Sequence, residues 1–170
     1  TIPQVTDPTQ WANLTTGAWC WYDNDSATNW KYGKLYNWFA VNDPRGLAPL
    51  GWHVPSDLEW NVMVKYLEPT VDTSILGLQN STVGGALKST TDWNSPNTGA
   101  TNSSGFGAQG GGRRFASGSF SNIGNIGYFW SSTENSSTLA WHRNLYNSSA
   151  DIYRFHINKV LGFSVRLVKD

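Results

Sequence analysis

Apolar positions along this chain change period several times, and each change marks an element. Trp19-Cys-Trp-Tyr22, followed by Asp23-Asn-Asp-Ser26, reads as a short strand running into a turn. Leu35, Trp38 and Phe39 stand at i, i+3 and i+4, which predicts a helix over Lys34–Val41 that Asp43-Pro44 stops. A second helix is marked at both ends. Ser56 and Glu59 make a capping box, Trp60, Met63, Val64 and Leu67 form an apolar stripe, and Pro69 ends it near Glu68. From Gln79 to Gly112 periodicity lapses into a polar, Gly- and Asn-rich tract anchored by Leu87, Trp93 and Phe106; a loop this long carries function or packs on itself. Strand-like runs follow at Arg114–Ala116, Tyr128–Ser132, Leu139–Tyr146, Asp151–His156 and Phe163–Val168. Two early helices and a succession of short strands predict an α+β fold.

Length and composition narrow the class. The 170 residues fit a single domain over 1–170, with 1–18 read as an N-terminal extension. Net charge is zero and only 14% of residues are charged, so there is no electrostatic case for nucleic acid or an anionic membrane as partner. Ten Trp and 17 Gly predict a loop-rich fold with an aromatic core. Cys20, the only cysteine, excludes an internal disulfide and a thiolate zinc site. No apolar run approaches the ~20 residues that membrane insertion needs.

Candidate chemistry points away from catalysis. His53, His142 and His156 lack the spacing of a zinc or iron site, and Asp23, Asn24 and Asp25 read as a solvated turn. Ser131-Ser-Thr-Glu134 is no nucleophile elbow, Glu59 serves as the capping partner of Ser56, and Gly110-Gly-Gly112 follows no strand and opens no helix. The expectation is no enzyme, no metal and no cofactor.

Four motifs in order carry a resemblance: Gly51-Trp-His-Val-Pro-Ser-Asp-Leu-Glu-Trp60, Gly112-Arg-Arg-Phe115, Gly127-Tyr-Phe-Trp-Ser-Ser-Thr-Glu134 and Gly162-Phe-Ser-Val-Arg-Leu-Val168. From about Trp19 onward the chain resembles the Fibrobacter succinogenes major paralogous domain. That resemblance implies a C-type lectin-like fold of the formylglycine-generating-enzyme branch, with two helices, short antiparallel strands and long loops. It also implies pairing of the first and last strands, and a small separate sheet between Trp130 and Leu161. The oxidising members of that branch use two cysteines and others a histidine iron triad; this chain has only Cys20 and no such triad.

The same resemblance directs attention to Asn135–Leu161. The family includes targets of diversity-generating retroelements, in which a C-terminal cassette varies at adenines, chiefly in AAC codons, and the varied side chains form the ligand-binding face. Such a codon varied at both adenines cannot encode Lys, Glu, Gln, Met or Trp; within the window only Trp141 and Lys159 belong to that set. Strand alternation puts Tyr153, Phe155 and Ile157 on one face and Ile152, Arg154, His156 and Asn158 on the other, and both faces mix polar with apolar groups. A binding surface tolerates that mixture. The expected contacts are Leu139, His142, Tyr146, Ser148 and Asp151, then Tyr153, Phe155, His156, Ile157, Val160 and Leu161. Trp130, Trp141, Phe163 and Val165 are expected beneath them as scaffold. The function expected is an extracellular display domain of a phage tail fibre or bacterial surface adhesin, binding a protein or glycan receptor on a cell surface and gaining avidity within an oligomeric fibre or pilus. The alternative is a surface lipoprotein module of fixed specificity, stacking a glycan in a cleft walled by Trp11, Trp30 or Trp93.

Overall fold

The computed structural model describes all 170 residues. In chain order its strands are β1 (Trp19–Cys20), β2 (Leu35–Tyr36), β3 (Trp52–His53), β4 (Gly77–Gln79) and β5 (Gly111–Arg114). Then come β6 (Phe120–Ile123), β7 (Ile126–Glu134), β8 (Leu139–Tyr146), β9 (Ile152–Asn158) and β10 (Val168–Lys169). The helices are α1 (Pro8–Ala12), α2 (Ser26–Asn29), α3 (Trp38–Val41), α4 (Asp57–Leu67) and α5 (Val83–Leu87). Local capping explains where most of them start. Asp7, Asp25, Asn37 and Ser56 each accept a first-turn N–H at the head of α1, α2, α3 and α4 respectively. Only α4 has both a complete capping box and an apolar stripe, and only it exceeds five residues.

The architecture corrects the expected fold class. Strand (29%) outweighs helix (21%), the helices number five and are short, and the main sheet is mixed, so the two-helix C-type lectin-like α+β expectation does not hold. The physical reason is clearest at Lys34–Val41. Leu35 and Tyr36 pair with Cys20 and Trp19, which takes their backbone out of the predicted helix. Asn37 then restarts the chain as α3, its Oδ1 accepting from Ala40 N and from Ala18 N at 3.0 Å. The first and last strands do not pair: β1 joins β2, and β10 joins β3.

Six strands form the main sheet in the order β4-β9-β8-β7-β5-β6. The segment expected as a small separate sheet is its centre. β8 and β9 pair without interruption from Leu139↔Asn158 to Leu145↔Ile152, and β7 pairs with β8 up to a bulge between Trp130 and Glu134. β5 lies parallel to β7 through Gly112↔Gly127, which makes the sheet mixed. Gly112 has φ +64°, and a Cβ there would lie 2.6 Å from Ser121 O, so this position in β5 requires glycine.

Three apolar clusters hold the layers. Trp60, Val64, Val83 and Leu87 of α4 and α5 pack on Phe129, Leu145 and Ile152. Trp38 of α3 meets Trp130, Ala140, Leu161 and Phe163. Trp11, Ala18, Cys20, Tyr22 and Leu35 form the third, with Val5 and Leu14 packed against it, so the first eighteen residues are anchored to the core by these side chains while most of the segment stays exposed. The tract Gln79–Gly112 packs on itself and on the end of β8: Lys88 is buried and donates to the carbonyls of Thr98, Tyr146 and Ser149, and Trp93 Nε1 donates to Ala108 O.

Candidate functional site

Because side chains alternate across a sheet, β7, β8 and β9 have one face under the helices and a second face that is only partly open: Tyr128, Trp130, Ala140, His142 and Asn144 on it are buried, and Tyr146, Tyr153, Phe155 and Ile157 are half-buried. The covered face carries Phe129, Leu145 and Ile152 under α4 and α5. Two arginines on the same face fasten the strands to the helix. Arg143 and Arg154, directly opposite each other, both reach Asp57 at the first turn of α4 at 2.6 Å, and Arg143 also donates to Asn61 Oδ1 at 2.7 Å. Burial pushes the Asp57 carboxyl up, but hydrogen bonding from Arg154 and the charge and hydrogen bond of Arg143 outweigh it and hold its pKa below the ordinary value.

The second face is most tightly packed around Trp130, whose indole stacks on Phe163 at 4.4 Å. Beyond that packing lies a cleft of about 350 Å³. Ile126 and Tyr128 of β7, then His142, Asn144 and Tyr146 of β8, line its floor. Phe155, His156 and Ile157 of β9 form one wall, and Arg113 of β5 and Asn122 of β6 form the other. Aromatic contacts run across it: Tyr146 and Tyr153 have ring centroids 4.6 Å apart, Tyr153 and Phe155 lie nearly parallel at 6.2 Å, and Phe155 stacks on His142 at 6.1 Å. Asn122 Nδ2 donates to the Tyr128 hydroxyl at 2.9 Å.

Polar atoms in this cleft are incompletely matched. His142 is 2% exposed and Asn144 4%, yet His142 Nδ1 and Asn144 Oδ1 have no hydrogen-bond partner, two of eleven such buried side-chain atoms in the chain and, with Arg113 Nε, the ones on residues of this cleft's floor and far wall. Unpaired buried polar atoms are uncommon in folded proteins and cost about 1–3 kcal/mol each. Burial, with the neighbouring Arg143, His156 and Arg113 adding to it, pushes the His142 pKa down to about 3, so the imidazole is neutral at physiological pH. No group of three metal-ligating side chains forms anywhere in the chain.

The residues expected from sequence distribute unevenly. His142, Tyr146, Phe155 and Ile157 line the cleft and Tyr153 stands beside it; His156 borders it from β9, but its ring lies on the opposite face, edge-on to Trp141 at 5.1 Å. Ser148 is exposed in the β8–β9 turn, whereas Asp151 in the same turn accepts from Ser81 N and Ser149 Oγ and fastens it. Leu139 lies on the opposite face, across from Asn158. Leu161 is 6% exposed within the Trp38 cluster, and Val160 packs on the Trp11 cluster, because the chain turns inward after Asn158. Of the expected scaffold, Trp130 and Phe163 are fully buried and Val165 packs beside them; Trp141 is half-buried, with the Arg154 guanidinium 3.7 Å from its ring centre. The three tryptophans of the alternative reading do not share a cleft: Trp11 is fully buried, Trp30 is 69% exposed and Trp93 covers the first cluster. Arg113, Asn122, Ile126, Tyr128 and Asn144 were not expected at the site. Alternation along β8 flags Asn144 between His142 and Tyr146, while the other four need the strand order.

A family model described as the Fibrobacter succinogenes major domain matches residues 1–169, so the chain belongs to that family, first eighteen residues included. No curated protein and no solved structure matches it.

Proposed function

We propose that this member of the Fibrobacter succinogenes major domain family is a ligand-binding display domain on a phage tail or bacterial surface. Its contact surface is the open face of β7, β8 and β9, re-tuned by retroelement diversification within Asn135–Leu161. The observation that carries this reading is the contrast between the two faces of the same strands. One is packed under helices and clamped by Asp57, while the other presents the half-buried aromatics Tyr146, Tyr153 and Phe155 around a cleft. Mechanistically the domain works by preorganisation. The sheet fixes the backbone, so side chains aimed into the cleft can be exchanged without refolding, and binding orders little that is not already ordered. Inward residues such as Arg143, Leu145 and Ile152 lack that freedom.

The test is recognition of a glycan array and of intact bacterial cells by the fluorescently labelled domain. A Tyr146→Ser, Phe155→Ser variant should lose that recognition. A control carrying Leu58→Ser and Tyr66→Ser on the exposed flank of α4 should keep it. Retained recognition in the first variant means the open face is not the contact surface.

The second reading, a surface module of fixed glycan specificity, is favoured by one observation. His142 and Asn144 are buried polar groups within a strand, a placement suited to a constant ligand as well as to a varied one.

A further inference from the structure

We propose that the cleft takes an acidic sugar, a pyranose ring carrying a carboxylate or sulfate oxyanion. This rests on the open face being the contact surface and narrows what that face binds.

The first observation is Arg113. The chain has six arginines. Arg45, Arg114, Arg143, Arg154 and Arg166 all donate hydrogen bonds to carboxylates, side-chain amides or backbone carbonyls. Arg113 donates none, takes part in none of the seven ion pairs, and has its Nε buried without a partner. It is nonetheless held in place. Its guanidinium lies 4.2 Å from the Phe115 ring centre and 5.1 Å from that of Tyr128. No Asp or Glu lines the cleft. A fixed guanidinium fork with all its N–H groups free and no carboxylate in the same cleft is matched in geometry and charge to an oxyanion with two oxygens to offer.

The second observation separates a sugar from a bare anion. Asn144 and the neutral His142 each carry both a donor and an acceptor function, and the fold satisfies neither side chain's buried acceptor. An oxyanion cannot donate to them. A hydroxyl can both donate and accept, so a ligand that serves Arg113 and these two groups together needs an anion and hydroxyls on one small frame. The third is shape. Tyr146 and Phe155 line the cleft with aromatic surface, which suits the C–H face of a ring, and about 350 Å³ lies at the small end of the ~300–1,000 Å³ typical of ligand pockets. That room suits one or two sugar rings.

The experiment is a ¹⁵N-resolved NMR titration of the whole chain with galacturonate, N-acetylneuraminate and galactose 6-sulfate, with galactose as the neutral control. At least one acidic sugar should give saturable shifts at the amides of residues 142–146 and 153–157. Galactose should bind about ten-fold more weakly or worse, the effect of a missing charged hydrogen-bond partner. Arg113→Gln should bring the acidic sugar down to the level of galactose. Arg113→Lys, which keeps the charge, should fall between, and the dispersion of both spectra reports whether they fold. Galacturonate and N-acetylneuraminate against galactose 6-sulfate distinguishes carboxylate from sulfate. The proposal is overturned if no acidic sugar produces shifts, or if acidic and neutral sugars bind alike. If instead an N-acetylated dipeptide with a free C-terminal carboxylate shifts these amides and the sugars do not, the acidic sugar is wrong and the face stands. Sugar-induced shifts confined to another surface overturn both.

Discussion

Asp57 joins the helix layer to the display strands, so removing its charge should loosen the face without touching it. In Asp57→Asn, Arg143 stays in place with no exposed side-chain surface and Arg154 with 14%, and both lose their anion. Removing one partner of a buried pair costs about 3–5 kcal/mol. Asn61 still accepts from Arg143, which places the expected loss toward 3 kcal/mol. For a domain of this length each kcal/mol lowers Tm by about 2–4 °C, so the drop should be roughly 6–12 °C, read by circular dichroism at pH 7. Acid titration supplies an independent check. The folded-state pKa of Asp57 is depressed, so its stabilisation is present above the unfolded carboxylate pKa of about 4 and is lost as pH falls through the folded value. Stability should therefore fall more steeply with acid below about pH 4 in the parent than in the variant. Adding Arg143→Met should return part of the loss, because the stranded cation goes with it. A Tm change under about 2 °C with an unaltered acid slope would show that the two arginines do not depend on Asp57.

Other outcomes follow from the same geometry. Tyr153→Ala and Phe155→Ala, on the half-buried face, should each cost under about 1.5 kcal/mol in urea unfolding, against about 3–5 for the fully buried Trp130→Ala; comparable losses would put the face in the core. His53 lies 2.6 Å from Asp170 Oδ1 and 2.8 Å from Glu59 Oε1, so only its protonated form donates to both carboxylates, which raises its pKa. Its contribution is thus complete below about pH 6.5 and lost as pH rises through the folded value. Tm should decline across that window, and His53→Gln should flatten the decline. Burial pushes the Cys20 thiol up to about 11 despite Arg114, so Ellman's reagent should label it only on unfolding; rapid labelling of the native protein would contradict the packing around Trp11.

What the sequence discloses is what neighbours in the chain decide. α4 was legible because its capping box, stripe and terminating Pro69 lie within one segment. The helix expected at Lys34 failed because Leu35 and Tyr36 are claimed by strand β1, whose pairing no local pattern shows. Alternation correctly grouped Tyr153, Phe155 and Ile157, and the register confirms them opposite Asn144, His142 and Ala140. Arg113 and Asn122 reach the cleft only because β5 docks parallel to β7 and carries β6 with it, an arrangement set by tertiary packing and by the positive φ of Gly112. Val160 and Leu161 read as exposed candidates because nothing local shows that the chain dives toward Trp38 and Trp11 after Asn158.

The measurement that bears most directly on the display face is deep sequencing of the 3′ end of the coding region across the source population, with a search for a near-copy of that region. The account predicts adenine-linked substitutions within Asn135–Leu161 that concentrate on the open face, at His142, Asn144, Tyr146, Tyr153, Phe155 and Ile157. Arg143, Leu145, Ile152 and Arg154 should stay constant beneath them. An invariant 3′ end, or variation spread equally over both faces, would contradict it.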